Sequence, residues 1–104
     1  LMQVVLNILQ NSQDNAKEKE IKDPKIEISV WDKRIEIWDN GGGIEAEFIP
    51  KIFDPYFSTK HAKIGTGLGL YMSKIIIQEH HKGTLSAQNR DDGVCFTIDL
   101  GSVS

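Results

Sequence analysis

Apolar positions recur at helical spacing from Leu1 to about Lys19, where Met2, Val5, Leu6, Leu9, Ser12 and Ala16 fall on one face and neither Gly nor Pro interrupts. The pattern predicts a first helix. The period then shortens to two. In "KIEISVW" Ile26, Ile28 and Val30 share one side, and after Asp32 and Lys33 the stretch "RIEIWD" does the same with Ile35 and Ile37. This predicts a hairpin whose apolar row packs on helices. Glu45 to Ile52 is expected to hold a short helix. "FDPYFSTKHAKIGTG" mixes Pro, Gly, Ser and Lys without periodicity and predicts a loop long enough to suggest a function. From Leu68 to about His81 helical spacing resumes through Leu70, Met72, Ile75 and Ile76, and Gly83 follows as a terminator. "TLSAQN" and "VCFTIDL", joined by a turn at Asp91, Asp92 and Gly93, predict a second hairpin with Val94, Phe96, Ile98 and Leu100 on a shared face.

A chain of 104 residues suits one domain, taken as 1–104. Twelve Lys and Arg against fifteen Asp and Glu leave a net charge of −3, which lacks the basic excess that nucleic-acid binding uses. Cys95 is the only cysteine and has no internal partner for a disulfide. No apolar run approaches the roughly 18 residues of a membrane span, so the domain is expected to be cytoplasmic and to make no direct membrane contact. The chain enters directly on a helical pattern without an initiator Met, and is read as a piece of a longer protein. Trp31 and Trp38 are expected on the outer sheet face or against a neighbouring domain.

Three polar clusters carry the candidate chemistry. "DNGGGI" places Asp39 in phase with Ile35 and Ile37, so a carboxylate ends an apolar row where burial is costly unless donors meet it. An Asx-turn with Asn40 on the glycines is one account of it, and a ligand that donates is the other. "GTGLGL", before the last helix, supplies either a flexible turn or outward backbone amides at a helix N-terminus suited to phosphate. The residues preceding it are too polar for a dinucleotide fold, and the Gly-Lys-Ser/Thr of a P-loop is missing. Asn7 and Asn11, with Asn15 a turn further, align amides along the first helix, as a solvated edge or as a row facing a hard cation and its phosphates.

In order, "NILQN", "DNGGGI", "IFDPYFSTK" and "GTGLGL" resemble the N box, first glycine box, F box and second glycine box of the sensor histidine kinase ATP-binding domain. That family shares the Bergerat fold with DNA gyrase B, the heat-shock chaperone and mismatch-repair ATPases. The resemblance runs from the first helix to Leu100. It implies an α+β, two-layer α/β sandwich with about three helices on one face of a mixed, mostly antiparallel sheet, and it implies ATP and Mg2+ as cofactors. Asp39 would then accept the adenine amine, Gly41 and Gly43 would allow close approach, and Ile44 would wall the pocket. Asn11 would ligate magnesium with Asn7 and Asn15 alongside, and Thr66, Gly67, Leu68 and Gly69 would offer amides to the phosphates. Lys60 is the candidate for reaching the γ-phosphate, and Phe53 and Phe57 match the aromatics that anchor a lid over about Asp54 to Gly65, expected to order when magnesium and nucleotide bind.

The same resemblance implies that the γ-phosphate passes to a histidine on a separate dimerisation domain of the same protein, then to a response regulator receiver domain, in a homodimeric parent that carries any membrane anchor. His61, His80 and His81 do not suit the acceptor role. Asn7 stands where hydrolytic relatives have a Glu base, and an amide cannot take a proton at neutral pH, which favours a kinase. A serine-directed anti-sigma-type kinase, a hydrolytic Bergerat ATPase and a catalytically silent nucleotide-binding regulator are the rival readings. Departures from the family pattern are Asp14 and Asn15 in place of a basic residue, which leaves Lys60 and Lys63 to meet phosphate charge. Val94 stands where hydrolases carry a polar residue, and a strand expected upstream of the first helix is missing. Ser12 replaces the usual Ala, a change expected to matter little.

Overall fold

A computed structural model describes residues 2–55 and 69–100. Helix α1 spans Met2–Glu18, and strands β1 (Ile26–Val30) and β2 (Arg34–Asp39) form the first hairpin. Helix α2 covers Gly69–His80 and leads into the second hairpin, β3 (Thr84–Arg90) and β4 (Gly93–Asp99). The strands lie in the order β1-β2-β4-β3, and every pairing among the described residues is antiparallel. The mostly antiparallel sheet expected is thus antiparallel throughout the described residues. No helix of the described residues is long and apolar enough to cross a membrane.

Both helices lie on one face. Val4 and Ile8 of α1 and Ile77 of α2 meet Ile37, Leu85, Val94, Phe96 and Ile98 from the sheet, with Ile52 closing the cluster. The helical stripe is rotated from the one read in the sequence: Val4, Ile8 and Ser12 are buried, whereas Met2 and Leu6 are exposed. Apolar residues occupy so much of the circumference of α1 that spacing alone did not fix which arc faces the sheet. In α2 the buried positions are Ser73 and Ile77, and Met72 faces solvent.

Two further expectations change. The Glu45 to Ile52 segment forms only a 3-10 turn at Ile49–Lys51, with Pro50 inside it and no side-chain cap, so the described residues hold two α-helices where about three were expected. In β1 the row Ile26, Ile28 and Val30 is exposed, 37%, 49% and 69% respectively, although each residue pairs with a helix-facing residue of β2. The reason is that α1 packs over β2, and a cleft separates its C-terminal half from the start of the outer strand. Phe53 packs edge-on against Phe96 at 6.4 Å between ring centres, with Lys74 Nζ 5.3 Å above its ring, which makes it a core-anchored residue.

Cys95 alternates with Phe96 and so faces away from the helices, yet it is fully buried, flanked across the ladder by Trp38 and Gln88. Burial pushes its thiol up from the ordinary value, against the opposing pull of Arg90 and with a smaller push from Glu36. The unfolded chain therefore ionises first as pH rises, and this contribution to stability is present below the ordinary thiol range and lost as pH climbs through the folded value. A thiol-specific reagent at pH 8 is expected to leave Cys95 unmodified in the native protein and to label it fully in denaturant. Rapid native labelling would contradict the burial.

Candidate functional site

The alternation of β2 brings Asp39 to the helix side, where it is 3% exposed. Two donors from the chain meet it. Ser12 Oγ, in the middle of α1, donates to Oδ2 at 2.8 Å, and the backbone N–H of Gly41 donates to Oδ1 at 2.9 Å, which closes an Asx-turn. The carboxylate thus has donors without a ligand, and the Asx-turn supplies one of them. It has lone pairs to spare, because a carboxylate offers about four acceptor positions and two are taken. Ser12 is 2% exposed and is not the minor change read from the sequence. A hydroxyl on the buried stripe of a helix needs a partner, and that requirement was the available signal.

Beyond Asp39 the chain has no regular structure, and its course is set by tethers from both sides. Asn15 Nδ2 donates to Gly41 O at 3.2 Å and Lys19 Nζ to Gly43 O at 2.8 Å, both from the helix side. Gly42 N donates to Asp92 O at 2.8 Å, in the turn between β3 and β4. Asn40 turns the other way, its amide bridging Lys25 N and Asp23 O at 2.8 and 2.9 Å. Gly43 sits at φ +78°, where a side chain is strained, and a Cβ there would lie 2.8 Å from Asn89 Oδ1. The glycines therefore form a pinned wall, and most of their polar backbone groups are already used.

The amide row on α1 is divided. Asn15 serves the glycine loop. Asn7 Nδ2 donates to Ser73 Oγ at 3.1 Å, and Ser73 Oγ in turn donates to Gly69 O at 2.8 Å, so Asn7 ties α1 to the first turn of α2. Asn11, half-buried, lies one turn from each. Eight residues of helix separate Asn7 from Asn15, or about 12 Å along the axis. A Cβ placed on Gly69 would meet no atom of the described residues within 4 Å. Lys60, Thr66, Gly67 and Leu68, with Phe57, Lys63 and His61, lie outside the described residues. Among the described residues no group of three His, Cys, Asp or Glu could hold a metal ion.

A cleft of about 640 Å³ opens between the C-terminal half of α1 and the start of β1. Ser12, Ala16, Ile21, Ile26, Asp39 and Gly41 are among its walls. Of the residues expected at the site it takes in Asp39 and Gly41 but not Asn7, Asn11, Asn15, Gly43 or Ile44. Asp39 therefore stands at the edge of this cleft, with the amide row on a different flank of the same helix.

The family described as histidine kinase-, DNA gyrase B-, and HSP90-like ATPase matches residues 1–103. The signal transduction histidine-protein kinase AtoS of Escherichia coli is 40% identical over 105 residues, which is 96% of this chain and 16% of that protein. The two-component sensor PprA of Pseudomonas aeruginosa is 32% identical over 96% of this chain and 12% of its own length. The chain thus spans a small part of these relatives. Among solved structures, the catalytic domain of histidine kinase ThkA superposes with a TM-score of 0.73 at 36% identity, covering 92% of this chain and 63% of that one.

Proposed function

Because the chain belongs to the histidine kinase-, DNA gyrase B-, and HSP90-like ATPase family, we propose that it binds Mg-ATP as the catalytic domain of a sensor histidine kinase. It would deliver the γ-phosphate to a histidine on a separate dimerisation domain of the same protein. The phosphoryl group would then pass to a response regulator receiver domain, in a parent that works as a homodimer. The observation that carries this reading is the buried Asp39 carboxylate, held by Ser12 and Gly41 with acceptor capacity left over, at the start of a pinned glycine wall.

The residues fit the nucleotide in a divided way. Asp39 accepts the exocyclic amine, and Gly41, Gly43 and Ile44 form the wall beside the base. Asn11 would offer one oxygen to magnesium, a hard cation that takes oxygen ligands, and among the described residues no group of three His, Cys, Asp or Glu competes for it. Thr66, Gly67, Leu68 and Gly69, the residues leading into α2, would offer backbone amides to the phosphates. Bound Mg-ATP supplies a phosphoryl group activated for transfer, and an imidazole acceptor needs no strong base. Asn7 adds none: its amide is spent on Ser73 and, as acceptor, on Gln3 Nε2 at 3.1 Å.

Calorimetric titration of the chain with a non-hydrolysable ATP analogue, followed by incubation with labelled ATP and a histidine-bearing helical hairpin domain, tests the proposal. Binding without any acid-labile label on the hairpin would leave a nucleotide-binding regulator. Within this reading, Asn11→Ala is expected to weaken analogue binding in magnesium and to change little in EDTA, since the lost group is a hard-cation ligand. Equal losses in both buffers would remove Asn11 from the metal.

A further inference from the structure

Resting on that reading, we propose that Asn89 is a positioning residue of the base site, acting through Ile44. Asn89 is in phase with Leu85 and Ala87 and so projects to the helix side of β3, at the end of the sheet where the glycine loop crosses. Its side-chain amide takes both backbone groups of one residue: Ile44 N–H donates to Oδ1 at 2.7 Å, and Nδ2 donates to Ile44 O at 2.6 Å. A strand neighbour would make the same paired contact. One side chain thus supplies, for a residue outside any strand, the constraint that a ladder supplies inside one.

The placement matters because, although the Ile44 side chain packs against the core, both backbone groups of Ile44 are met by this one amide. Gly42 and Gly43 hold positive φ values of 90° and 78°, and the N–H of Gly42 donates to Asp92 O at 2.8 Å. The tethers from Asn15 and Lys19 act on Gly41 and Gly43, upstream of the residue that walls the base. Asn89 also closes the space beside Gly43, where a Cβ would lie 2.8 Å from its oxygen. Yet Asn89 is itself exposed and outside the core cluster, so removing it leaves the apolar packing intact.

The test measures two probes on the full chain: the non-hydrolysable ATP analogue, and magnesium tripolyphosphate, which carries the phosphates without the base. Asn89→Ala is expected to weaken the analogue about tenfold, the loss of two ordinary hydrogen bonds, and to leave tripolyphosphate unchanged. Asn89→Asp keeps an acceptor for Ile44 N–H and loses the donor to Ile44 O, so it is expected to fall between the wild type and Asn89→Ala, with circular dichroism confirming that both fold. Equal weakening of both probes, or no weakening of the analogue in folded protein, would overturn the proposal. Asp39→Asn run in parallel separates the two levels: if it loses the analogue while Asn89→Ala does not, only the positioning role falls. If neither variant loses it, the base-site reading falls as well.

Discussion

Gly93→Ala is expected to cost the protein much of its stability, the largest loss of any single methyl addition among the described glycines. A Cβ on Gly93 would overlap the carbonyl oxygen of Asp39 and come within 3.0 Å of Asn40 Cα. Both obstacles are backbone, so no rotamer change relieves them. Gly93 opens β4 and pairs with Arg90 across the turn, and the next residue, Val94, pairs with Asp39 of β2. Moving either chain breaks the ladder at the point where the site begins. Overpacking of this kind costs about 1–3 kcal/mol and occasionally more, and a backbone collision belongs at the upper end. In a domain of this size each kcal/mol shifts the melting temperature by roughly 4–8 °C, so thermal denaturation followed by circular dichroism is expected to move down by about 10–20 °C. An unchanged melting curve would mean that β4 does not approach Asp39 so closely.

That contact illustrates where sequence reading stopped. The period-two runs at Ile35, Ile37 and Asp39 and at Val94, Phe96 and Ile98 were legible because alternation fixes a face with no other information, and the structure places both rows on the helix side. Asp39 stood out because a carboxylate ended such a row. The phase of α1 was not legible, since Met2, Val4, Val5, Leu6, Ile8 and Leu9 satisfy more than one helical stripe. The exposure of β1 was hidden for a different reason: a strand's apolar row says which face it offers, not whether a helix reaches it. Tethers such as Lys19 to Gly43 and Asn89 to Ile44 join residues 24 and 45 apart and leave no local signature. Ser12 lay between the two cases, correctly placed on the buried stripe, but its partner 27 residues away was unseen. The glycines carried half their meaning in sequence. They marked a turn, but which of them faces a carbonyl and which an amide depended on the hairpin folded against them.

Asp39→Asn is expected to abolish discrimination for adenine while leaving the fold in place. The variant can keep both internal contacts. Its amide oxygen can accept from Gly41 N–H, and its amide nitrogen can donate to Ser12 Oγ, since a hydroxyl that donates to a carboxylate at 2.8 Å can turn and accept from an amide. What changes is the group offered to a base: an acceptor with spare lone pairs becomes a donor facing the donor amine of adenine. An unmade polar contact in a buried site costs about 1–3 kcal/mol, or roughly 5- to 150-fold in affinity. An inosine nucleotide, with a carbonyl where adenine has its amine, is expected to show the opposite preference, gaining in the variant what ATP loses. Titration of both nucleotides against wild type and variant, with melting temperatures held as a control, gives the result directly. Unchanged ATP affinity would take Asp39 out of base recognition and leave it as the acceptor that joins α1 to the end of β2, an Asx-turn with a helical serine and no ligand to read.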